Sequence, residues 1–203
     1  MATPGHRMRW PDEARALIGA ADRAAYDAIA ETPTPHLDRA LVGASNAATY
    51  SRLWLVTAAV AAVLGGGRGR RAACQGVLAI ALTSAVTNLL LKPVTARRRP
   101  IRSNGQPVSD SRRVHRPVSP SFPSGHAASA FAFASAMGRA APGARLPLRV
   151  AASTVAYSRV HTGVHYPSDV AIGALIGNLC GWAVGRLATR VLGRGGDRDG
   201  ERR

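Results

Sequence analysis

Residues 72–91 read A-A-C-Q-G-V-L-A-I-A-L-T-S-A-V-T-N-L-L-L, twenty residues without a charge between Arg71 and Lys92. An α-helix needs about 20 apolar residues to cross a hydrocarbon core, so this stretch has the length and composition of a membrane span. Working upstream, residues 53–67 are uncharged for 15 positions and end in the cluster Arg68-Gly69-Arg70-Arg71. Working downstream, apolar blocks cover residues 122–138, 146–157 and 170–183, each opened by Pro or Ser and closed by arginine. Shorter blocks of this kind also suit buried helices of a soluble bundle, but they fit a bilayer if flanking arginines snorkel or helices pack obliquely. With residues 72–91 as the anchor, the expected fold is all-α: an integral-membrane helical bundle of about five to six hydrophobic helices.

Before this core, Ala14, Leu17, Ile18, Ala21, Ala25, Ala28 and Ile29 recur at helical spacing, with Asp12, Glu13, Arg15, Asp22, Arg23 and Asp27 interleaved. This predicts an amphipathic helix over residues 10–31, too charged to enter a bilayer. Thr32-Pro33-Thr34-Pro35 breaks it, and residues 36–51 predict a second, less polar helix. The first 30 residues lack the apolar core of a cleavable signal. The expected organisation is an N-terminal amphipathic helical segment (1–51), a membrane-embedded core (52–192) and a disordered basic tail (193–203).

The 203 residues are enough for one domain, and a 46% apolar content excludes disorder throughout. Lys and Arg number 27 against 11 Asp and Glu, for a net charge of +16. All the cations but Lys92 are arginine, so that one position stands out as wanting an ammonium group. Between Arg39 and Gly196 the acidic residues are Asp110 and Asp169 alone, which excludes a metal site of clustered carboxylates there. Chemistry in this region falls to arginine, lysine and histidine. Cys74 and Cys180 lack zinc or disulfide spacing and are expected as buried small hydrophobes.

If the spans alternate in direction, the loops 68–71 and 139–149 and the C-terminal tail share one side of the membrane. Loops 92–121 and 159–168 share the other, and every polar motif lies there. Lys92-Pro-Val-Thr-Ala-Arg-Arg-Arg99-Pro100 places a lysine at a helix exit and an arginine seven residues later. Pro123-Ser124-Gly125-His126 opens a helix whose free first-turn amides form an anion cradle. Ser158-Arg159 leads into His165, and Asp169 follows in the first turn of a helix begun by Pro167, within reach of that imidazole. Each motif alone is ordinary. A Ser-Gly-His at a helix start is usually a cap, and a His-Asp pair is as often structural.

Taken together and in this order, the three motifs resemble the type-2 phosphatidic acid phosphatase superfamily, the lipid phosphate phosphatases related to bacterial acid phosphatases and vanadium haloperoxidases. The resemblance covers about residues 52–186. It implies an all-helical core, a phosphohistidine mechanism and no metal or other cofactor. It further implies that Lys92, Arg99, Ser124, Gly125 and Arg159 bind the phosphoryl oxygens, that His165 is the nucleophile oriented by Asp169, and that His126 is the general acid. The residue types suit those roles. Planar arginine forks and a point-charge lysine match the three equatorial oxygens of a phosphoryl group. A carboxylate accepting from one imidazole nitrogen leaves the other free to attack.

The expected partners are a lipid phosphate or polyprenyl (di)phosphate substrate and membrane lipids, at a cell membrane with the site on its extracytoplasmic side. Two other readings use the same features. The anion cradle could hold vanadate, as in a haloperoxidase. The net charge could serve a basic protein that binds anionic membranes or nucleic acid, though no nucleic-acid motif is visible. Among the remaining polar residues, His6, His36 and His115 are expected in solvent-facing or loop positions, His161 as a supporting residue and Asp110 as a loop residue. Arg97, Arg98, Arg102, Arg112, Arg113 and Arg116 either steer anionic head groups or reflect composition.

Overall fold

The computed structural model describes residues 10–95, 97–102, 105 and 108–200, with side chains over 12–191. Seven α-helices run α1 Trp10–Glu31, α2 Pro35–Ala47, α3 Arg52–Leu64, α4 Gly66–Ala85, α5 Gly125–Ala140, α6 Arg145–His161 and α7 Pro167–Gly200, with no strand among the described residues. Beyond Ala85, α4 widens into a π-type stretch at Val86–Leu91 and tightens into a short turn at Lys92–Val94. The continuous helix Gly66–Val94 and the segment Pro167–Val191 are long and apolar enough to cross a membrane. Pro35–Ala47 and Thr49–Leu64 meet that test as one span bent by 64°. The bend falls where two non-glycine residues, Tyr50 (φ 53°) and Ser51 (φ 59°), take left-handed backbone.

α5 is the central post. Alanine, serine and glycine dominate it, and residues 127–130 and 132–138 are buried on all sides. Small side chains let neighbouring helices approach closely, which is how helices associate when lipid removes the usual hydrophobic drive. α7 lays Gly173, Gly177 and Gly181, spaced by four, along α5. A Cβ at these positions would stand 2.5 Å from the Ser124 carbonyl oxygen, 2.2 Å from that of Ala128 and 2.5 Å from that of Ala132. On the other flank, a Cβ at Gly76 of α4 would meet the Phe133 ring at 2.6 Å. That ring packs on Trp54 of α3 with centroids 5.5 Å apart. The outer faces are apolar as well: Val56, Val60 and Val63 on α3, Leu78 and Leu82 on α4, and Leu175 and Leu179 on α7 are exposed. An apolar exterior around a core of small residues is the surface expected of helices in hydrocarbon.

Several expectations need correction. Arg68 to Arg71 do not form a loop. The α3–α4 connection is Gly65 alone, and the arginines occupy the first turns of α4. The turn is this tight because Gly65 and Gly69 let the chain pass against Ala61, whose carbonyl oxygen lies 2.6 Å and 2.0 Å from a Cβ built at each. Likewise Arg139 and residues 145–149 are helical, and the α5–α6 connection is a single turn at Pro142–Ala144. Cys74 is exposed and Cys180 partly so, both as free thiols. An apolar stretch in a membrane helix can face lipid as well as core, so burial does not follow from apolar neighbours. α1 is helical over the predicted residues, but its inward side is polar. Asp22 and Tyr26 are buried while Leu17 (71%) and Ile18 (56%) are exposed. The last helix runs to Gly200, and 201–203 lie outside the described residues.

Candidate active site

Four helix ends meet on one side of the bundle: the exit of α4, the start of α5, the end of α6 and the start of α7. Short backbone ties fix them. Ser124 N donates to the Asp169 carbonyl at 3.0 Å, joining α5 to α7, and Ser121 N donates to the Arg97 carbonyl at 2.9 Å. Thr95 Oγ1 donates to the Phe122 carbonyl at 2.8 Å, tying the exit of α4 to the approach to α5. At the end of α6, Val164 N and His165 N both donate to the Arg159 carbonyl at 3.2 Å, which turns the chain back toward α7. Gly163 makes that turn with φ 71°, where a Cβ would also stand 2.9 Å from the Tyr26 hydroxyl.

This framework brings the residues of the three motifs together. Ser124 caps α5 as a buried residue, its Oγ accepting from Ala127 N at 3.4 Å. Lys92 Nζ stands 3.8 Å from where a Cβ on Gly125 would lie, so the absent side chain leaves the ammonium beside the first-turn amides. Arg99 donates through Nη1 to the Val164 carbonyl at 2.8 Å and through Nε to the Pro117 carbonyl at 2.9 Å. Its Nη1 also lies 3.5 Å from His165 Nε2. Arg159, Lys92, Arg99 and His165 are all close enough to act electrostatically on His126. Among the described residues, no carboxylate lies within ion-pair distance of Lys92, Arg99 or Arg159.

His165 is buried between Arg99 and Asp169. Its Nδ1 faces Asp169 Oδ2 at 3.6 Å, just beyond hydrogen-bond length, and its Nε2 faces the guanidinium. Because a guanidinium has donors alone, the Nε2 that faces it must be the unprotonated nitrogen of a neutral ring. Burial pushes the His165 imidazole down to about 4, against the pull of Asp169, and the charges of Arg159 and Arg99 push the same way. Neutral imidazole is therefore the form at neutral pH. Among the described residues, three buried polar atoms here have no hydrogen-bond partner: His126 Nε2, Arg159 Nε and His165 Nδ1. Three cations beside unpartnered polar atoms have the electrostatics of a site for an anion. Among the described residues, no three His, Cys, Asp or Glu side chains gather in a set that could hold a metal ion.

Sequence reasoning missed how much of the surrounding shell is structural. Arg112 is buried and donates to Asp38 Oδ1 (2.9 Å), the Ile29 carbonyl (3.0 Å), the Thr32 carbonyl (2.6 Å) and Thr34 Oγ1 (2.9 Å). It neither steers head groups nor reflects composition, because it clasps the α1–α2 junction. Asp38 also takes Ser111 Oγ at 2.7 Å and pairs with His161 Nε2 at 2.9 Å, which gives His161 its supporting role. Arg116 donates to the Pro100 and Gly163 carbonyls, and Arg159 donates through Nη1 to the buried Ser45 Oγ of α2. Asp110 pairs with Arg113 at 2.9 Å, His36 and His115 are exposed, and His6 lies outside the described residues. The sequence signal for these clasps was faint: an isolated Asp38 in a helix otherwise free of acidic residues.

Fold and site together define a helical membrane phosphatase. Residues 72–191 match the model of the PAP2 superfamily, and the chain belongs to that family. With relatives that are named phosphatases, it is a phosphoric ester hydrolase. The decaprenylphosphoryl-5-phosphoribose phosphatase of Mycobacterium tuberculosis is 38% identical over 128 residues, 63% of this chain and 67% of that protein. The lipid A 4'-phosphatase of Bacteroides thetaiotaomicron is 34% identical over 128 residues, 58% of this chain and 56% of that protein. Two solved structures share the fold. The transmembrane PAP2-type phosphatidylglycerolphosphate phosphatase of Bacillus subtilis has TM-score 0.66 at 23% identity, covering 86% of this chain and 88% of its own. LpxE of Aquifex aeolicus has TM-score 0.61 at 24% identity, covering 79% and 92%.

Proposed function

We propose that this phosphatase hydrolyses a lipid phosphate monoester or a polyprenyl diphosphate through a phosphohistidine on His165, without a metal ion. The observation that supports this best is the cluster of Lys92, Arg99 and Arg159, which among the described residues has no carboxylate counter-ion, beside the neutral ring of His165. A phosphoryl group supplies the missing negative charge. Its oxygens take the hydroxyl of Ser124, the first-turn amide of Gly125, the Nε of Arg159 and the ammonium of Lys92. Entry of a phosphoryl oxygen draws Arg99 off His165 Nε2, whose lone pair then attacks phosphorus. As that N–P bond forms, the P–O bond to the lipid breaks, and Asp169 stabilises the positive charge developing on the ring.

The departing oxygen needs a proton, which His126 gives, since a bound phosphoryl dianion favours its imidazolium form. Neutral His126 then takes a proton from water, the water oxygen attacks phosphorus, and the N–P bond breaks to release inorganic phosphate and restore His165. The lipid tail lies among the apolar outer faces of the helices. The arginines of the opposite bundle ends, Arg68, Arg70, Arg71, Arg139, Arg145 and Arg149, support a cytoplasmic assignment for that side. The site then faces away from the cytoplasm across a cell membrane.

The mycobacterial relative is named for a decaprenyl-linked phosphoribose, which makes prenyl-linked phosphates the first substrates to test. Phosphate release by purified protein in detergent, with chelator present, is expected from one of phosphatidic acid, a polyprenyl diphosphate or a prenyl-linked sugar phosphate. Activity that appears only on adding magnesium would contradict the proposal.

A further inference from the structure

We propose that Arg97, held by Asp22 of α1, is a positioning residue that sets the orientation of the Asp169 carboxylate toward His165. The inference rests on the reading of His165 as nucleophile. It extends that reading to a helix, residues 10–31, that lies outside the stretch matching the family model.

The geometry is a closed ring of charge-assisted hydrogen bonds. Arg97 Nη1 donates to Asp169 Oδ1 at 2.6 Å and its Nη2 donates to Asp22 Oδ2 at 2.6 Å. Ser168, beside Asp169, closes the ring. Its amide donates to Asp22 Oδ1 at 2.9 Å, its hydroxyl donates to Asp22 Oδ2, and that hydroxyl oxygen accepts from Arg97 Nη1 at 2.8 Å. The guanidinium lies over the Tyr166 ring, 4.4 Å from its centroid, which further limits its freedom to move off the two carboxylates. The other oxygen, Asp169 Oδ2, accepts from Tyr166 N at 2.9 Å and is the one that faces His165 Nδ1.

A carboxylate turns about its last side-chain torsion unless both oxygens are held. Tyr166 N holds one, and Arg97 holds the other, which fixes the direction of the lone pairs that receive the imidazole N–H. Asp22 matters because Arg97 placed against Asp169 alone would neutralise it. With a carboxylate on each side, the guanidinium orients Asp169 and the triad of side chains keeps a net negative charge facing the ring. Asp22 and Asp169 are both buried, so neither charge has water as an alternative partner.

The test uses the full-length protein in detergent and four variants, Arg97→Gln, Arg97→Lys, Asp22→Asn and His165→Ala. Arg97→Gln is expected to lower kcat about 10- to 100-fold, the scale of a small misplacement of a reacting group. KM and the affinity for vanadate should stay within about threefold, because no phosphate ligand is touched. Arg97→Lys should recover much of the lost kcat, Asp22→Asn should lie between it and wild type, and nitrogen NMR should show the Nδ1–H tautomer of His165 giving way to a mixture in Arg97→Gln. The positioning role is overturned if Arg97→Gln and Asp22→Asn keep both wild-type kcat and the wild-type tautomer. It is also overturned if the loss falls on KM and vanadate affinity, or tracks the fraction of protein unfolded. His165→Ala separates the two levels: its retention of activity rejects the phosphohistidine reading itself, whereas its inactivity beside an unaltered Arg97 series rejects the positioning role alone.

Discussion

The Ser124 amide donates to the Asp169 carbonyl at 3.0 Å, so the cradle at the start of α5 and the carboxylate at the start of α7 are set at a fixed distance by one backbone bond. The glycine row of α7, Gly173, Gly177 and Gly181, continues that junction down the bundle. Gly177, whose Cβ would stand 2.2 Å from the Ala128 carbonyl oxygen, is where the two backbones press closest. Gly177→Ala should therefore lower the melting temperature in detergent and reduce activity, by the roughly 1–3 kcal/mol typical of overpacking or more. Gly43→Ala, in the open on α2, should leave both unchanged or slightly improved. Equal melting temperatures for the two variants would remove the glycine row from the fold's explanation.

Asp38 holds α1 and α2 to the core by accepting from Arg112, Ser111 and Thr34 and pairing with His161. Asp38→Ala leaves a buried guanidinium without its counter-ion, which typically costs about 3–5 kcal/mol. Limited proteolysis should then cut at the Thr32 to Pro35 junction in the variant under conditions that spare the wild type. Equal resistance would mean that the hairpin is held elsewhere.

The low-lying imidazole of His165, at about 4 against an ordinary 6.5, makes stability depend on pH. The unfolded chain takes up a proton on this ring below about pH 6.5, while the folded protein resists until about pH 4, so its contribution is complete above 6.5 and is lost as pH falls toward 4. The difference in melting temperature between wild type and His165→Gln should therefore move against the wild type between about pH 7 and about pH 5. A constant difference would show an ordinary histidine.

How much of this was legible beforehand depended on whether the signal was local. Charge-free blocks and Pro or Ser openings located the five hydrophobic helices, because a membrane helix announces itself by composition over a turn or more. Lys92, Arg99, Ser124, His126, Arg159, His165 and Asp169 stood out because cations and imidazoles at apolar helix ends are costly without a task. The α3–α4 turn was hidden because arginine clusters ordinarily mark loops, whereas here Gly65 and Gly69 make the turn and the arginines begin the next helix. Arg97 and Arg112 could not be told from their arginine neighbours, since what distinguishes them is Asp22 and Asp38, both more than 70 positions away in sequence. The glycine spacing on α7 was present to be read, but its meaning depends on which helix it faces.

Arg159 and Lys92 offer a graded check on the oxyanion pocket. Arg159→Lys keeps the charge yet loses the fork whose Nη1 is held by Ser45 and whose Nε has no partner among the described residues. It should lower kcat/KM by about 100-fold, comparable to loss of one oxyanion donor, and Lys92→Ala should do the same. A phosphate-release assay with either variant within threefold of wild type would exclude that side chain from the phosphate site.

The central claim is a covalent bond between phosphorus and His165. Rapid quenching of the full-length enzyme with a lipid substrate carrying radioactive phosphate is its most direct test. A protein-bound label that survives alkali, is lost in acid and maps to His165 is expected, with none in His165→Ala. Turnover at the normal rate with no such label, or with label on another residue, would contradict it.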